Sequence, residues 1–334
     1  MSLADTTCEP VFIVGMNGSG TTMLLDCLGR HPELYAFPEE TRLIPYLMAR
    51  EAGYGDLSDD ENFRRLWDEV SSLPVFREAN GNVPVPLPDD WRDRRRGLAS
   101  VLDAVFGHFA AIQGKRRWAE KTPQHVQHLE ALAAMFPRAR FLHVIRDGRD
   151  CAVSFHRRWY RRPELTIFRW KKVVAMGMAQ GCRIGPSRYL EVRYEDLTAH
   201  PEPSLRAICA FLELPFDTVV LESDQPYLVV DPGEDARGLR LNSGKWERYF
   251  SPRTRERLER VAGSMLARCG YHTTRPDSDV DIAGWQRRYW AATEATRAYT
   301  REIWRKLTGK IERPWRVILV KPVTALRHRE HNSY

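Results

Sequence analysis

Residues 11–22, VFIVGMNGSGTT, set a short apolar run against a glycine-rich loop and the polar first turn of a helical pattern. The run from Val11 to Val14, bounded by Glu9-Pro10 and Gly15, reads as a buried strand. Thr21 to Arg30 reads as a helix that ends at His31-Pro32. Strand, loop and helix in that order make an anion cradle. The glycines let successive N–H groups turn inward, and the helix N-terminus adds about half a positive charge. The spacing from Gly15 to Gly20 matches a P-loop, but Thr21 stands where a nucleotide triphosphatase carries lysine. Ser19, Thr21 and Thr22 supply hydroxyl donors, so a phosphate is expected here without the lysine that reaches a γ-phosphate.

The rest of the chain alternates strand and helix patterns. Glu40 to Glu51 reads as a helix that Pro45 either kinks or begins, and Leu98 to Gln113 as another. Between them, residues 53–97 are polar and rich in Pro and Gly, an insertion with little periodic signal. Arg117 to Ala119 is a short strand candidate, and Pro123 opens a helix over 124–136. Phe141 to Ile145 is a second apolar run, followed by the turn Arg146-Asp-Gly-Arg-Asp150 and a helix. Tyr189 to Val192 is a third strand, with a helix over 203–212. This order implies an α/β fold, a parallel sheet covered by helices on both faces. A domain over residues 1–275 is expected, with a helical, basic extension over 276–334. In that extension Trp285, Tyr289, Ala292, Thr296, Tyr299 and Ile303 recur at helical spacing, as a packing stripe does.

Charge narrows the ligand. Fifty-one basic residues against 44 acidic ones give a net +7, which favours anionic partners. Only eight of the basic residues are lysines, so a lysine inside a motif stands out. The six cysteines show no CxxC pair and no Cys/His ligand spacing, so neither zinc nor a disulfide framework is expected. No apolar run is long enough to span a bilayer. The first residues lack the basic-then-apolar pattern of a signal peptide, so a cytoplasmic protein is the expectation.

A second anion site is suggested by Arg146 and Ser154. The arginine follows a buried strand, where α/β ligands gather, and the serine lies about two helical turns on. Taken alone, RDGRD also fits a solvent-facing turn laced with its own ion pairs.

Five segments then stand in one order: VFIVGMNGSGTTMLLDCL, EKTP at 120–123, RFLHVIRDGRDCAVS, VRYEDL at 192–197 and NSGKWERYF from Asn242. Over about residues 10–270 the chain resembles the sulfotransferases that use PAPS, 3′-phosphoadenosine-5′-phosphosulfate, and release PAP. The resemblance implies that Asn17, Gly18, Ser19, Gly20, Thr21 and Thr22 hold the 5′-phosphosulfate, and Arg146 with Ser154 the 3′-phosphate. Tyr194 would meet the adenosine side, and Arg240, Ser243 and Lys245 would form a late loop over the cofactor. No metal is implied.

The block from His31-Pro32 through Glu39-Glu40-Thr41-Arg42 is similar to the tyrosylprotein sulfotransferases. That likeness implies Glu40 as general base, Arg42 as a group placing the acceptor, and Lys121 as the contact to the transferring sulfuryl group, with Ser243 nearby. It tilts the acceptor towards a tyrosine or phenol, with sugar, lipid and secondary-metabolite hydroxyls still open. One departure matters. These families usually carry Arg or Lys immediately before Ser-Gly-Thr-Thr, where this chain has Gly18. Two other readings compete. An ATP-dependent kinase would use Asp147 on magnesium, and the Arg/Trp-rich tail would serve a membrane surface or self-association as a homodimer. No nucleic-acid partner is expected.

Overall fold

The structure is a computed structural model and describes residues 9–222 and 242–294. Strand β1 (Val11–Gly15) runs into α1 (Thr21–Gly29), which leads to the short β2 (Leu34–Ala36). Helices α2 (Ile44–Arg50), α3 (Asp60–Ser71), α4 (Pro74–Ala79) and α5 (Leu98–Ile112) precede β3 (Arg117–Lys121). A 3-10 turn over Pro123–His128 then leads to α6 (Leu129–Met135), β4 (Arg140–Ile145), α7 (Gly148–Trp159) and α8 (Pro163–Ile184). Next come β5 (Tyr189–Arg193), α9 (Tyr194–Ala199) and α10 (Pro201–Phe211), with α11 (Lys245–Tyr249) and α12 (Pro252–Arg268) beyond residue 242.

The five strands form one parallel sheet in the order β2-β3-β1-β4-β5. Strand β1 is central and wholly buried, which is why its residues are continuously apolar rather than alternating. Its side chains still divide by face. Phe12 stacks on Phe141 (5.5 Å between ring centres) and meets Trp118 edge-on (5.7 Å), in a layer that includes α5 and α6. Val11 and Ile13 join Leu24 and Leu28 of α1 on the opposite face. No helix of the described residues is long and apolar enough to cross a membrane.

The sheet and its covering helices match the expected α/β class, and the differences have physical causes. Pro45 begins α2 rather than kinking it, because its missing N–H costs nothing in a first turn. The helix expected over 124–136 is split into the 3-10 turn and α6. The segment 53–97 is not structureless. Phe63, Leu66, Trp67 and Val70 bury one face of α3, Phe63 stacks on Trp91, and Phe76 of α4 packs against Phe37 and Phe106.

In the C-terminal extension, 284–294 is helical, yet Trp285 and Tyr289 are 73% and 61% exposed, so they do not form the expected packing stripe. Ile282 and Glu294 make the contacts instead. Ile282 is buried, and Glu294 accepts from the Arg162 N–H (2.6 Å) and the Arg161 guanidinium (2.9 Å). Thr296, Tyr299 and Ile303 lie outside the described residues.

The RDGRD turn is also not a solvent-facing one, since Arg146, Asp147, Arg149 and Asp150 are all buried. Arg149 donates to Asp147 (2.7 Å), to Glu259 of α12 (2.7 Å) and to the His272 carbonyl (2.8 Å), and lies 3.7 Å over the Trp246 ring. This knot fixes α7, α11 and α12 together behind the sheet's carboxyl edge.

Candidate active site

Each strand delivers a candidate residue from its carboxyl end. Strand β1 leads into the glycine loop, β3 ends at Lys121, β4 runs into Arg146, β5 into Tyr194, and β2 leads towards Glu40. In a parallel sheet this edge is where crossovers part and a crevice opens. The strand order therefore lays the groups out as Glu40, Lys121, glycine loop, Arg146 and Tyr194.

The loop holds an anion-binding shape. Gly18 and Gly20 adopt φ of 84° and 101°, conformations that an L side chain resists. Gly20 is the N-cap of α1 and brings no side-chain cap, so the positive end of the helix faces the loop. Ser19 is fully buried and its Oγ has no hydrogen-bond partner. A buried orphan hydroxyl aimed into a glycine loop fits an anionic group. Thr21 is buried, Thr22 is exposed, and Asn17 is half-buried. A Cβ on Gly20 would collide with the Tyr194 ring, while one on Gly18 would sit 3.3 Å from Ser154 Oγ. Gly20→Ala should destabilise the fold by about 2 kcal/mol or more, through left-handed strain plus this clash. Denaturant unfolding of the variant checks this, and an unchanged midpoint would show that the ring yields freely.

The second candidate anion site is built on β4, α7 and α9. Arg146 donates to the Gly18 carbonyl (3.2 Å) and the Asn242 carbonyl (2.5 Å), and its guanidinium lies 4.3 Å over the Tyr194 ring. Its Nε is buried and unpartnered. Asp150 accepts the N–H groups of Gly244 (2.7 Å) and Trp246 (3.0 Å), which moors the 242–246 turn, with Ser243 and Lys245, beside Arg146. Ser154 is buried on α7 against Gly18. Arg240 lies outside the described residues.

Sequence reading missed Arg158, one turn beyond Ser154 on α7. Burial, and then the charge of Arg146, lower its guanidinium to about 10, and its Nε too is buried without a partner. A half-buried guanidinium in the field of Arg146 would be favoured by a shared counter-anion. The available clue was the i, i+4 spacing from Ser154, hidden in the basic run HRRWYRR.

At the other end of the crevice, Lys121 is buried and donates to Glu40 Oε1 at 2.8 Å. Arg42 donates to Glu40 Oε2 from Nε at 2.8 Å, and its own side chain is 62% exposed. Burial alone would raise the Glu40 carboxyl, but Lys121 and Arg42 outweigh it and hold it below the ordinary carboxylate range. Arg42 is held in the left-handed region at φ 51°. The structure thus brings Glu40, Arg42 and Lys121 into one cluster, and Arg146, Ser154, Tyr194 and Gly18 into another across the loop. Among the described residues no group of His, Cys, Asp or Glu side chains has the arrangement of a metal site.

Residues 10–218 match the model of the sulfotransferase family, so the chain belongs to that family. It is 29% identical over 287 residues to protein-tyrosine sulfotransferase 2 of Gallus gallus, covering 78% of this chain and 69% of the relative. It is 28% identical to protein-tyrosine sulfotransferase A of Caenorhabditis elegans, over 66% of this chain but only 54% of the nematode protein. Among solved structures it shares the fold of the sulfotransferase domain from the curacin biosynthetic pathway. That likeness has a TM-score of 0.52 at 19% identity, over 79% of this chain and 98% of the other.

Proposed function

We propose that this protein transfers a sulfuryl group from PAPS to the hydroxyl of a tyrosine or phenol. The observation that carries the reading is the 2.8 Å Lys121–Glu40 pair, set one strand away from a glycine loop with an orphan buried hydroxyl. The loop and the start of α1 would hold the cofactor's 5′-phosphosulfate, while Arg146, Ser154, Arg158 and Tyr194 would take its 3′-phosphate and adenosine. Two anion sites separated across one loop suit a nucleotide charged at both ends.

Glu40, kept ionised, accepts the acceptor's proton as the acceptor oxygen bonds to sulfur, and the bond from sulfur to the bridging 5′-phosphate oxygen breaks. Lys121 places positive charge beside the transferring group, where Gly18 offers none. Arg42, exposed and next to the base, orients the acceptor. The preference for a phenolic hydroxyl is supported by the Glu-Glu-Thr-Arg block and by relatives named as protein-tyrosine sulfotransferases.

The geometry opposes a kinase. The Asp147 carboxylate is engaged by Arg149 through Nε (3.0 Å) and Nη2 (2.7 Å) and caps α7, so it is not poised for magnesium.

PAP should raise the melting temperature in the way a ligand bound only to the folded state does, and ATP with magnesium should do so far less. Thermal shift with both nucleotides tests this, and a preference for ATP would overturn the reading. Mass spectrometry of tyrosine peptides, phenols, sugars and lipids incubated with PAPS identifies the acceptor by the gain of one sulfuryl group.

A further inference from the structure

A carboxylate without any exposure sits one residue before Lys121. Glu120 is fully buried, yet both of its carboxylate oxygens are engaged by polar groups. Its Oε1 accepts from the Thr41 N–H (3.3 Å), the Thr41 hydroxyl (3.0 Å) and the Thr122 hydroxyl (2.5 Å), and its Oε2 meets His125 Nδ1 at 3.0 Å. Thr122 Oγ1 in turn accepts the Arg42 N–H at 3.3 Å. The segment Glu40-Thr41-Arg42 is thus locked onto Glu120-Lys121-Thr122 residue by residue: Glu40 to Lys121, Thr41 to Glu120, and Arg42 to Thr122.

We infer that Glu120 is a positioning residue, which fixes the Thr41 turn to the end of β3 so that Glu40 is presented to the reacting hydroxyl beside Lys121. The inference rests on Glu40 as the base and adds the group that aims it. Two further features support it. Burying a carboxylate is costly, and an apolar residue of like volume would serve packing alone at least as well. The segment it holds also contains Arg42 in a left-handed conformation, which an unanchored turn would relax. Burial alone would raise the Glu120 carboxyl, and His125, Thr122 and Thr41 outweigh it, so the acceptor of these bonds is the ionised form.

The consequence is a loss of turnover without loss of nucleotide. Thr41→Val removes one donor at nearly constant shape and should lower kcat about tenfold, since a misaimed base of this kind costs rate rather than binding. The KM for PAPS and the affinity for PAP should stay within about twofold, and Thr41→Ser should restore kcat. In the Glu40→Ala background, Thr41→Val should cost nothing further, because a group acting through Glu40 has no effect once Glu40 is gone.

A multiplicative loss in the double variant, or wild-type turnover in Thr41→Val, overturns the inference. So does a parallel loss of PAP affinity, which would mark general loosening. The anchoring itself has a readout that needs no acceptor, namely faster amide exchange at residues 41 and 42 in Thr41→Val and Glu120→Gln proteins. Unchanged exchange in both variants also overturns it. Full turnover in Glu40→Ala alone would instead refute the base assignment and leave the exchange result to judge the anchor.

Discussion

Lys121→Ala should lower turnover by about two orders of magnitude or more, the loss typical of one charge-stabilising donor in a preorganised site. With Gly18 before Ser19, the loop itself contributes no side-chain cation, and Lys121 is the buried ammonium at the carboxyl end of the neighbouring strand. PAP affinity should change little, because the proposed mode of binding leaves the nucleotide's two ends to the loop and to Arg146. A variant with near-normal turnover would remove the assignment.

The same substitution has a signature in pH. In the wild-type protein the Glu40 carboxyl lies below its ordinary value of 4.5, so the proposed base is ionised throughout the neutral range. Without Lys121, burial is opposed by Arg42 alone and the carboxyl rises. The acid limb of kcat/KM, which reports the free enzyme, therefore moves to higher pH. The sign for stability follows from the same linkage. A carboxylate depressed in the folded state contributes stability above its unfolded value and loses it as pH falls through the folded one. Lys121→Ala should accordingly be less sensitive to acid than the wild type in an unfolding titration.

Arg146→Ala is the second large effect and falls on binding. The guanidinium is fixed on three sides, by the Gly18 carbonyl, the Asn242 carbonyl and the Tyr194 ring, with Nε unpartnered. A cation held that way loses little entropy when it meets a phosphate, and removing it should weaken PAP binding by about a hundredfold or more, near 3 kcal/mol. The selective measure is calorimetry with PAP and with adenosine 5′-phosphate, which lacks the 3′-phosphate. Wild type should prefer PAP strongly, and Arg146→Ala should nearly erase the preference. A variant that keeps the full preference would move the 3′-phosphate elsewhere.

Much of this architecture is legible in the chain because its central strands are buried on both faces. Val11 to Val14 is a continuous apolar run, Phe141 to Ile145 is one interrupted only by His143, and the glycines between β1 and α1 announce a turn that side chains cannot make. Strand β2 escaped notice because three residues carry no period. Helix α3 was masked by its Pro- and Gly-rich flanks, although Phe63, Leu66, Trp67 and Val70 follow the spacing of a buried helical face.

Helix α8 mixes polar and apolar residues along its 22 positions, since it packs on the sheet, α7 and α12 at once, and so it shows no single stripe. The site was readable where a motif is local, as in the loop. It was not readable where chemistry depends on side chains far apart in sequence. Glu120 and Thr41 are 79 residues apart, and no spacing rule foretells their hydrogen bond.

The left-to-right order of the sheet has an evolutionary corollary. In the proposed reading, recognition of the donor nucleotide is concentrated on the central strand and the two beyond it, whereas the proton acceptor and its arginine hang from the opposite margin, beside the helices of 53–97. Descendants of such a chain can therefore retailor that margin for a new hydroxyl while inheriting the nucleotide grip intact.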